Sequence, residues 1–317
     1  VENHLLITPD NWRWTHDLAW KDEPPPGADC ALADLGHGLV RRNEDAQTAL
    51  VQRASTLSAY ELAVRQAIRL MYQQFDQPLA LPEMAEAAVL SPHHFHRVFH
   101  RVTGITPGHF LCTIRLKAAL QLLLTTQLNV TDICFAVGYN SLGTFTTRFS
   151  QLVGLPPTQL RDLVDRAPPL FEQIAAQHEP PVDTKTRQPG LRGRISGLDG
   201  EAGPIFVGLF PAAIPQGRPL DCTLLNEPGV YCLPSAPDGS YQVLAAAFPP
   251  CAEPLHYLLP DHTNLKIGMS QRPISIHNGQ PLTSCADILL RPMRITDPPI
   301  LTALPLLLVE GKGEVLI

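Results

Sequence analysis

The sequence predicts an α+β multidomain chain: an all-α double helix-turn-helix domain followed by an all-β sandwich domain. Three observations lead there. A pattern of aromatic, glycine and proline positions recurs once between residues 84 and 157. A polar, proline-bearing stretch, Glu179 to Gly190, then interrupts the chain. Beyond it, apolar residues fall into short runs separated by turn residues. The expected divisions are 1–55, an N-terminal extension of unclear structure; 57–166, the double helix-turn-helix; 167–190, a linker; and 191–317, the β-sandwich.

Taken in chain order, the first 55 residues hold Trp12, Trp14 and Trp20. Large aromatics are costly to leave in water, so this segment is expected to dock on the body. Tyr60, Leu62, Ala63, Ile68, Leu70 and Met71 then recur at roughly helical spacing. In the repeat, Phe95, Phe99, Gly104 and Pro107 return as Phe145, Phe149, Gly154 and Pro157, each 50 positions on. Upstream, Met84 and Val89 match Ile133 and Gly138 at 49. The second copy therefore carries one extra residue between its turn and its second helix.

In copy one, Pro82 to Ala88 is a short helix with Met84, Ala85 and Ala88 on one face, and Val89-Leu90 is the turn. Ser91 suits the cap of the next helix, and Pro92 suits its first position, where no amide partner is needed. That helix, Pro92 to Thr103, places Phe95, Val98, Phe99 and Val102 on one face. His93, His96, Arg97 and His100 lie opposite, with Arg101 beside them, and Gly104 ends the helix. A long helix, about Pro107 to Thr125, carries Phe110, Ile114, Leu120 and Leu123. In copy two, Thr131 is the expected cap of a helix holding Ile133 and Val137, Gly138 supplies the turn, and Ser141 caps the second helix. Phe145 and Phe149 point inward there, while Thr144, Thr147 and Arg148 take other faces. Two such units on one connecting helix can hold their second helices about 34 Å apart, one turn of DNA, so that a monomer addresses two successive major grooves.

Bulk properties narrow the class without deciding it. The composition, 44% apolar and 17% charged, is that of a globular chain. The net charge of −6 gives no overall sign of a nucleic-acid partner. Residues 57–166 hold nine basic and seven acidic side chains, so even there charge alone does not separate a DNA binder from a plain bundle. The seven cysteines form no Cys-x-x-Cys pair and are irregularly spaced, which excludes a zinc ribbon and a secreted disulfide framework. Val1 to Pro9 lack the basic start and apolar run of a signal peptide. The apolar run Leu301 to Val309 is broken by Pro305 and falls short of the roughly 20 residues of a membrane span. A cytoplasmic location without membrane contact is expected.

At this point the residues carry a resemblance. "MAEAAVLSPHHFHRVFHRVTGITPGHF" and "DICFAVGYNSLGTFTTRFSQLVGLPPTQLR" make residues 80–162 similar to the DNA-binding domain of the AraC/XylS family of bacterial transcription regulators. The resemblance implies double-stranded promoter or operator DNA as partner, with bases contacted from the second helix of each motif. By position these contacts fall to His93, His96 and Arg97, then to Leu142, Gly143 and Thr147. Ser91, His94, Arg101, Ser141, Thr144 and Arg148, on the same helices or their caps, complete the expected DNA-binding set. The chain departs from the family where the turn glycine of motif one is Val89, where a usual arginine is Thr147, and where Ser150 and Gln151 replace basic residues. His96 and His100 are spaced for a metal, but no carboxylate or thiol shares their face, so neither metal nor cofactor is expected.

After the linker, the candidate strands are Ile205 to Phe210, Cys222 to Leu225, Val230 to Leu233, Tyr241 to Phe248, Leu265 to Gly268, Ile274 to Ile276 and Asp287 to Leu290. Pro237-Asp238-Gly239 is a turn joining two of them. About seven short strands with frequent turns point to a sandwich. The stretch from Pro204 to Phe248 also resembles transthyretin-like and carboxypeptidase-regulatory-like modules, which share a PG-x-Y…PDG-x-Y-x-V rhythm. Cys251, His256, Asp261 and His262 form a polar cluster that reads as a solvated loop. With no catalytic constellation in view, the chain is expected to be no enzyme but a regulator. Its β domain would sense an unidentified small-molecule effector or drive association, a second copy being a candidate partner. The alternatives are an enzyme built on the sandwich with an accessory DNA-binding domain, and an architectural DNA binder.

Overall fold

The fold is given by a computed structural model that describes residues 40–165, 190–198, 203–233, 236–249, 257, 259, 265–282 and 286–302, with backbone alone at 40–55 and 163–165. The three tryptophans, residues 167–189 of the expected linker, and the Cys251/His256/Asp261/His262 cluster lie outside the described residues. The chain divides between Tyr60 and Glu61 into two compact units; the described part of the first is helical backbone.

α1 (Val40–Gln74) starts well before the expected helical region. Its buried stripe in the second unit is Val64, Ala67, Ile68 and Met71, followed by Phe75 just past its end. This is the i, i+3, i+4, i+7 rhythm; Ile68 and Met71 of the expected set lie on it, Tyr60, Ala63 and Leu70 are half-buried beside it, and Leu62 is left in solvent. α2 (Leu81–Ala87) begins where the Glu83 carboxylate accepts the Ala80 amide at 2.6 Å. α3 (Pro92–Thr103), α4 (Pro107–Thr125), α5 (Val130–Ala136), α6 (Leu142–Val153) and α7 (Pro157–Asp165) follow. Both ends of α5 lie 49 residues after those of α2, and both ends of α6 lie 50 after those of α3, as the repeat requires.

Caps differ in detail from expectation. Ser91 occupies the cap of α3 in extended backbone, yet its side chain caps nothing. α5 is capped by Asn129 and not Thr131, which lies inside the helix. The Asn129 side-chain oxygen accepts the Asp132 amide at 2.8 Å, and its amide group donates back to the Asp132 carboxylate at 2.5 Å. That reciprocal pair satisfies two groups where a threonine hydroxyl two residues later would satisfy one. Ser141 does cap α6, accepting from the Thr144 amide at 3.4 Å.

The core of this half is aromatic. Phe95 meets Phe99 edge to face with centroids 5.3 Å apart, and Phe99 meets Phe110 at 5.5 Å. Phe145 and Phe149 repeat the pairing at 5.7 Å. α4 is more enclosed than its expected single apolar face suggested: Leu111, Leu116 and Leu122 are buried along with Phe110, Ile114, Leu120 and Leu123. A helix apolar all round must be covered all round, and α4 packs against α2, α3, α5 and α7.

The second half is β structure in two sheets. In the first, the order is β4 (Val230–Leu233), β1 (Leu191–Ser196), β9 (Ile288–Leu289), with β1 antiparallel to β4 and parallel to β9. In the second, β10 (Arg291–Pro292), β6 (Lys266–Met269), β5 (Gly239–Ala247), β2 (Ile205–Phe210) and β3 (Asp221–Leu225) pair in that order. β7 (Ile274–His277) joins β5, and β8 (Gln280–Pro281) joins β7. All seven expected strands are present within a residue or two, while β1, β8 and β10 were unexpected. One core takes Leu191, Ile195, Tyr231 and Leu233 from the first sheet and Val207, Leu209, Val243 and Ile276 from the second. The Pro237-Asp238-Gly239 turn therefore carries the chain from one sheet to the other and makes no hairpin. β2 is buried at all six positions because Phe206 and Phe210, on its other face, pack with Phe248, Leu265, Met293 and Ile300.

The loop between β2 and β3 reaches the helices. Gly217 donates its amide to the Leu152 carbonyl at the end of α6 (2.6 Å), and Gln216 lies 2.7 Å from the His109 ring nitrogen on α4. Gly217 has φ of 72°, and a Cβ there would stand 2.8 Å from the Gln151 carbonyl oxygen, so both backbone angle and space exclude a side chain. Among the described residues, no helix is long and apolar enough to cross a membrane.

Candidate nucleic-acid interface

Each motif turns through the same backbone device. After α2, the Leu90 amide reaches the Ala85 carbonyl (3.0 Å) and the Val89 amide reaches that of Glu86 (2.9 Å). After α5, Tyr139 reaches Cys134 and Gly138 reaches Phe135, each at 3.1 Å. Both are Schellman closures, which need a left-handed residue at the apex. Gly138 supplies it at φ 84°, and Val89 adopts it at φ 54°. A Cβ on Gly138 would stand 2.8 Å from the Asp76 carbonyl oxygen and 2.9 Å from that of Phe75, whereas the Val89 side chain is 85% exposed. The family's turn glycine is thus dispensable for space in motif one and required in motif two.

Arg115 of α4 fastens the second turn. Its guanidinium donates to the carbonyls of Phe75 (2.7 Å) and Gln77 (2.9 Å) and lies 5.8 Å from the centre of the Tyr139 ring. The Tyr139 hydroxyl meets Cys112 Sγ at 3.1 Å, and the ring packs on Phe145 at 5.4 Å. Burial, and then the neighbouring Cys112, push the Tyr139 phenol above its usual range, against the opposing pull of Arg115 and Arg148. The phenol stays neutral and the turn stays packed.

On α3 the buried face holds Phe95, Val98 and Phe99, with Val102 half-buried. Two positions on, about half a turn round the helix, His93, His96, Arg97 and His100 line an open groove of about 650 Å³ together with Leu81 and Pro92. Ser91 and Arg101 are exposed beside it, and His94 is half-buried. His100, noted on this face in the sequence but not among the expected contacts, belongs to the groove by its i, i+4 relation to His96.

On α6, Leu142, Gly143, Thr144, Thr147 and Arg148 are exposed, as is Ser141 at the cap. With the 50-residue offset, Arg148 stands where motif one buries Val98, so it leaves the helix beside the aromatic face and close to Tyr139. Leu142 is 41% exposed at the first turn. Neither α3 nor α6 carries a carboxylate. Among the described residues, Arg65 is held by Glu61, Arg115 by backbone carbonyls and Arg161 by the Leu123 carbonyl, while Arg97, Arg101 and Arg148 have no ion-pair partner. The arginines therefore separate into those bonded within the fold and those whose charge stands exposed with no ion-pair partner among the described residues. No group of three or more metal-ligating side chains occurs among the described residues.

A family model described as "Helix-turn-helix domain" matches residues 84–162. Over 118 residues the chain is 30% identical to an uncharacterized HTH-type transcriptional regulator of Haemophilus influenzae, covering 37% of this chain and 40% of that one. It is 31% identical over 91 residues to the bifunctional transcriptional activator/DNA repair enzyme AdaA of Bacillus subtilis, covering 29% of this chain and 43% of that one. Among solved structures, the C-terminal domain of AraT, a response regulator from Geobacillus stearothermophilus, matches at 35% identity over 32% of this chain and 84% of that one, with a TM-score of 0.31. The chain spans about two fifths of the length of the curated relatives it matches.

Proposed function

We propose that this chain, whose residues 84–162 belong to the AraC/XylS type of helix-turn-helix domain, is a sequence-specific regulator of transcription that lays α3 and α6 in two successive major grooves. The observation that carries this reading is the pair of second helices, repeated at a fixed 50 residues, free of carboxylates and exposed on the face away from their phenylalanines. In motif one, Arg97, His93 and His96 supply donors for base edges. In motif two, Leu142 offers apolar contact of the kind that suits a thymine methyl, Thr144 and Thr147 offer hydroxyls, and Arg148 lies nearer the rim, where phosphate is the partner. Ser91, His94, Arg101, Ser141 and Gly143 complete the contact surface.

The two sheets around one core support a sandwich, a module that senses an effector or brings copies together. Residues 57–166 and 191–317 are the corresponding domains. Of the two roles, sensing is favoured by the hydrogen bonds from the β2–β3 loop to α4 and α6, because coupling needs a physical connection between sites. The cytoplasm is the expected location.

Capture of genomic DNA fragments by the full chain, followed by sequencing, tests the reading. A few sharp sites upstream of genes are expected. Even coverage along the genome would instead make the protein architectural, and no retention would reject DNA binding altogether.

A further inference from the structure

Between the last turn of α3 and the outer face of the larger sheet lies a cavity of about 420 Å³. Its size is in the range of small-molecule sites, about 300–1,000 Å³. The sheet contributes Phe206, Phe210, Leu244, Ile267 and Met269, and the segment after β10 contributes Ile300. The helix contributes Val102, Thr103 and Gly104. A Cβ on Gly104 would meet nothing within 4 Å, so the end of the recognition helix leaves room there. Ala213 and Pro215, from the β2–β3 loop, close one side.

Charge limits what can enter. Among the described residues, the charged groups on the wall are Arg291 and Asp297. They neutralise each other through two hydrogen bonds of 2.7 Å in bidentate geometry. The Asp297 carboxylate also accepts the Arg294 amide. No counter-charge is left for an ionised ligand, and the Thr103 hydroxyl already donates to the Phe99 carbonyl at 2.9 Å.

The cavity touches the end of α3 directly and reaches α6 only through the β2–β3 loop. Val102 to Gly104 are the end of α3 itself. The loop carrying Ala213 and Pro215 continues into Gln216 and Gly217, which bond α4 and the end of α6. A molecule wedged between loop and sheet bears on the ends of α3 and α6 together. We propose that this cavity binds a neutral, mostly apolar small molecule and that its occupancy changes DNA affinity by shifting the ends of the two recognition helices. The coupling rests on the reading of the chain as a DNA-binding regulator; the cavity itself does not.

The test uses the full chain, the neutral fluorophore N-phenyl-1-naphthylamine as probe, and an operator recovered by the genomic capture above. Three variants at exposed positions keep folding out of the question: Ala213→Trp and Met269→Glu at the cavity, and Leu282→Glu away from its wall. Saturable probe binding is expected in the wild type and in Leu282→Glu, weakened at least about tenfold in the other two. Linkage then requires that the probe shift operator affinity by the same factor by which operator shifts probe affinity. Absence of saturable binding, or binding indifferent to both cavity variants, overturns the site. A dimer that Ala213→Trp dissociates, with no probe bound, would make this face a contact between copies and likewise overturns it. Probe binding that leaves operator affinity unchanged overturns the coupling alone. A chain that binds probe but captures no DNA refutes the regulator reading and not the cavity, whereas one that captures sharp sites but binds no probe refutes only the cavity.

Discussion

Replacing Val89 by glycine should stabilise the protein, although it removes a side chain. At φ 54°, a β-branched residue sits in the left-handed region, which costs an L-residue about 1–2 kcal/mol. Glycine relieves that cost and adds back about 0.5–1 kcal/mol of unfolded-chain entropy. Valine burial gives little in return: at 85% exposure, about a seventh of the roughly 1.5 kcal/mol for full burial, or ~0.2 kcal/mol, is lost. The net is about 0.5 kcal/mol in favour of Val89→Gly. For a helical domain of this size that raises the unfolding midpoint by about 2–4 °C. The matched change in motif two, Gly138→Ala, should have the opposite sign and be larger, about 3 kcal/mol or more, since a left-handed alanine would also press on the Phe75 and Asp76 carbonyls within 2.9 Å. Scanning calorimetry of both variants measures the pair. A lower midpoint for Val89→Gly would refute the strain reasoning, and an unchanged midpoint for Gly138→Ala would refute the close approach of the chain after α1.

Arg97→Ala should weaken operator binding by about 1–3 kcal/mol and relax preference at one base pair while leaving the melting curve intact, as read by binding to a panel of single-base operator variants; undiminished selectivity would misplace α3 in the groove. Arg148→Ala should lower affinity evenly across sequences and flatten the salt dependence by about one unit of slope, measured from 50 to 200 mM salt; a loss confined to one base pair would contradict its place beside Tyr139. Gly217→Ala should cost about 1–3 kcal/mol by straining φ 72° and crowding Gln151, lowering the denaturant midpoint; an unaltered midpoint would mean that the loop does not grip α6. Asp238 is held below the usual carboxylate range by the amides of Gly279 and Asn278. Its folded value being depressed, its contribution is present above the unfolded value of about 3.9 and fades as pH falls through the folded one, so amide protection of Gly279 should persist at about pH 5 and drop only in stronger acid, an effect absent in Asp238→Asn.

The helical half was legible because its punctuation is local. Pro92, Gly104, Pro107 and Gly154 mark ends by chemistry that acts within one turn, and α3 and α4 fall where those residues put them. On α1 the expected Ile68 and Met71 are buried, whereas Leu62 points to solvent, which side the helix buries being a fact of tertiary packing. β1 was missed for a different reason. Leu191, Gly193 and Ile195 face inward and Arg192 and Arg194 outward, but glycine and arginine conceal a strand's alternation. Gly193 is small because a Cβ would meet the Ala286 carbonyl and the Tyr231 hydroxyl, partners far away in sequence. The exposure of most of the expected contact residues on α3 and α6 was legible from periodicity; their contact with bases is what the resemblance implies. The grip of Gln216 and Gly217 on the helices was not, since a loop's partner leaves no mark in its own sequence.

The enclosure of α4 bears on what kind of target this protein can recognise. Nineteen residues of helix span about 28 Å, and side chains are packed around most of that length. The strut sets one resting distance and rotation between α3 and α6, about which a ligand in the cavity would shift only their ends. On the proposed reading, inserting one base pair between the two half-elements of a target would swing the second by about a tenth of a turn away from this resting geometry. The two helices also present unlike chemistry, histidine and arginine on one and leucine, glycine and threonine on the other. If the chain binds DNA as proposed, it would read an asymmetric word with a beginning and an end. On that reading, the polarity of its target on the DNA, and with it the side from which it would face a neighbouring gene, follows from the difference between the two copies of the motif.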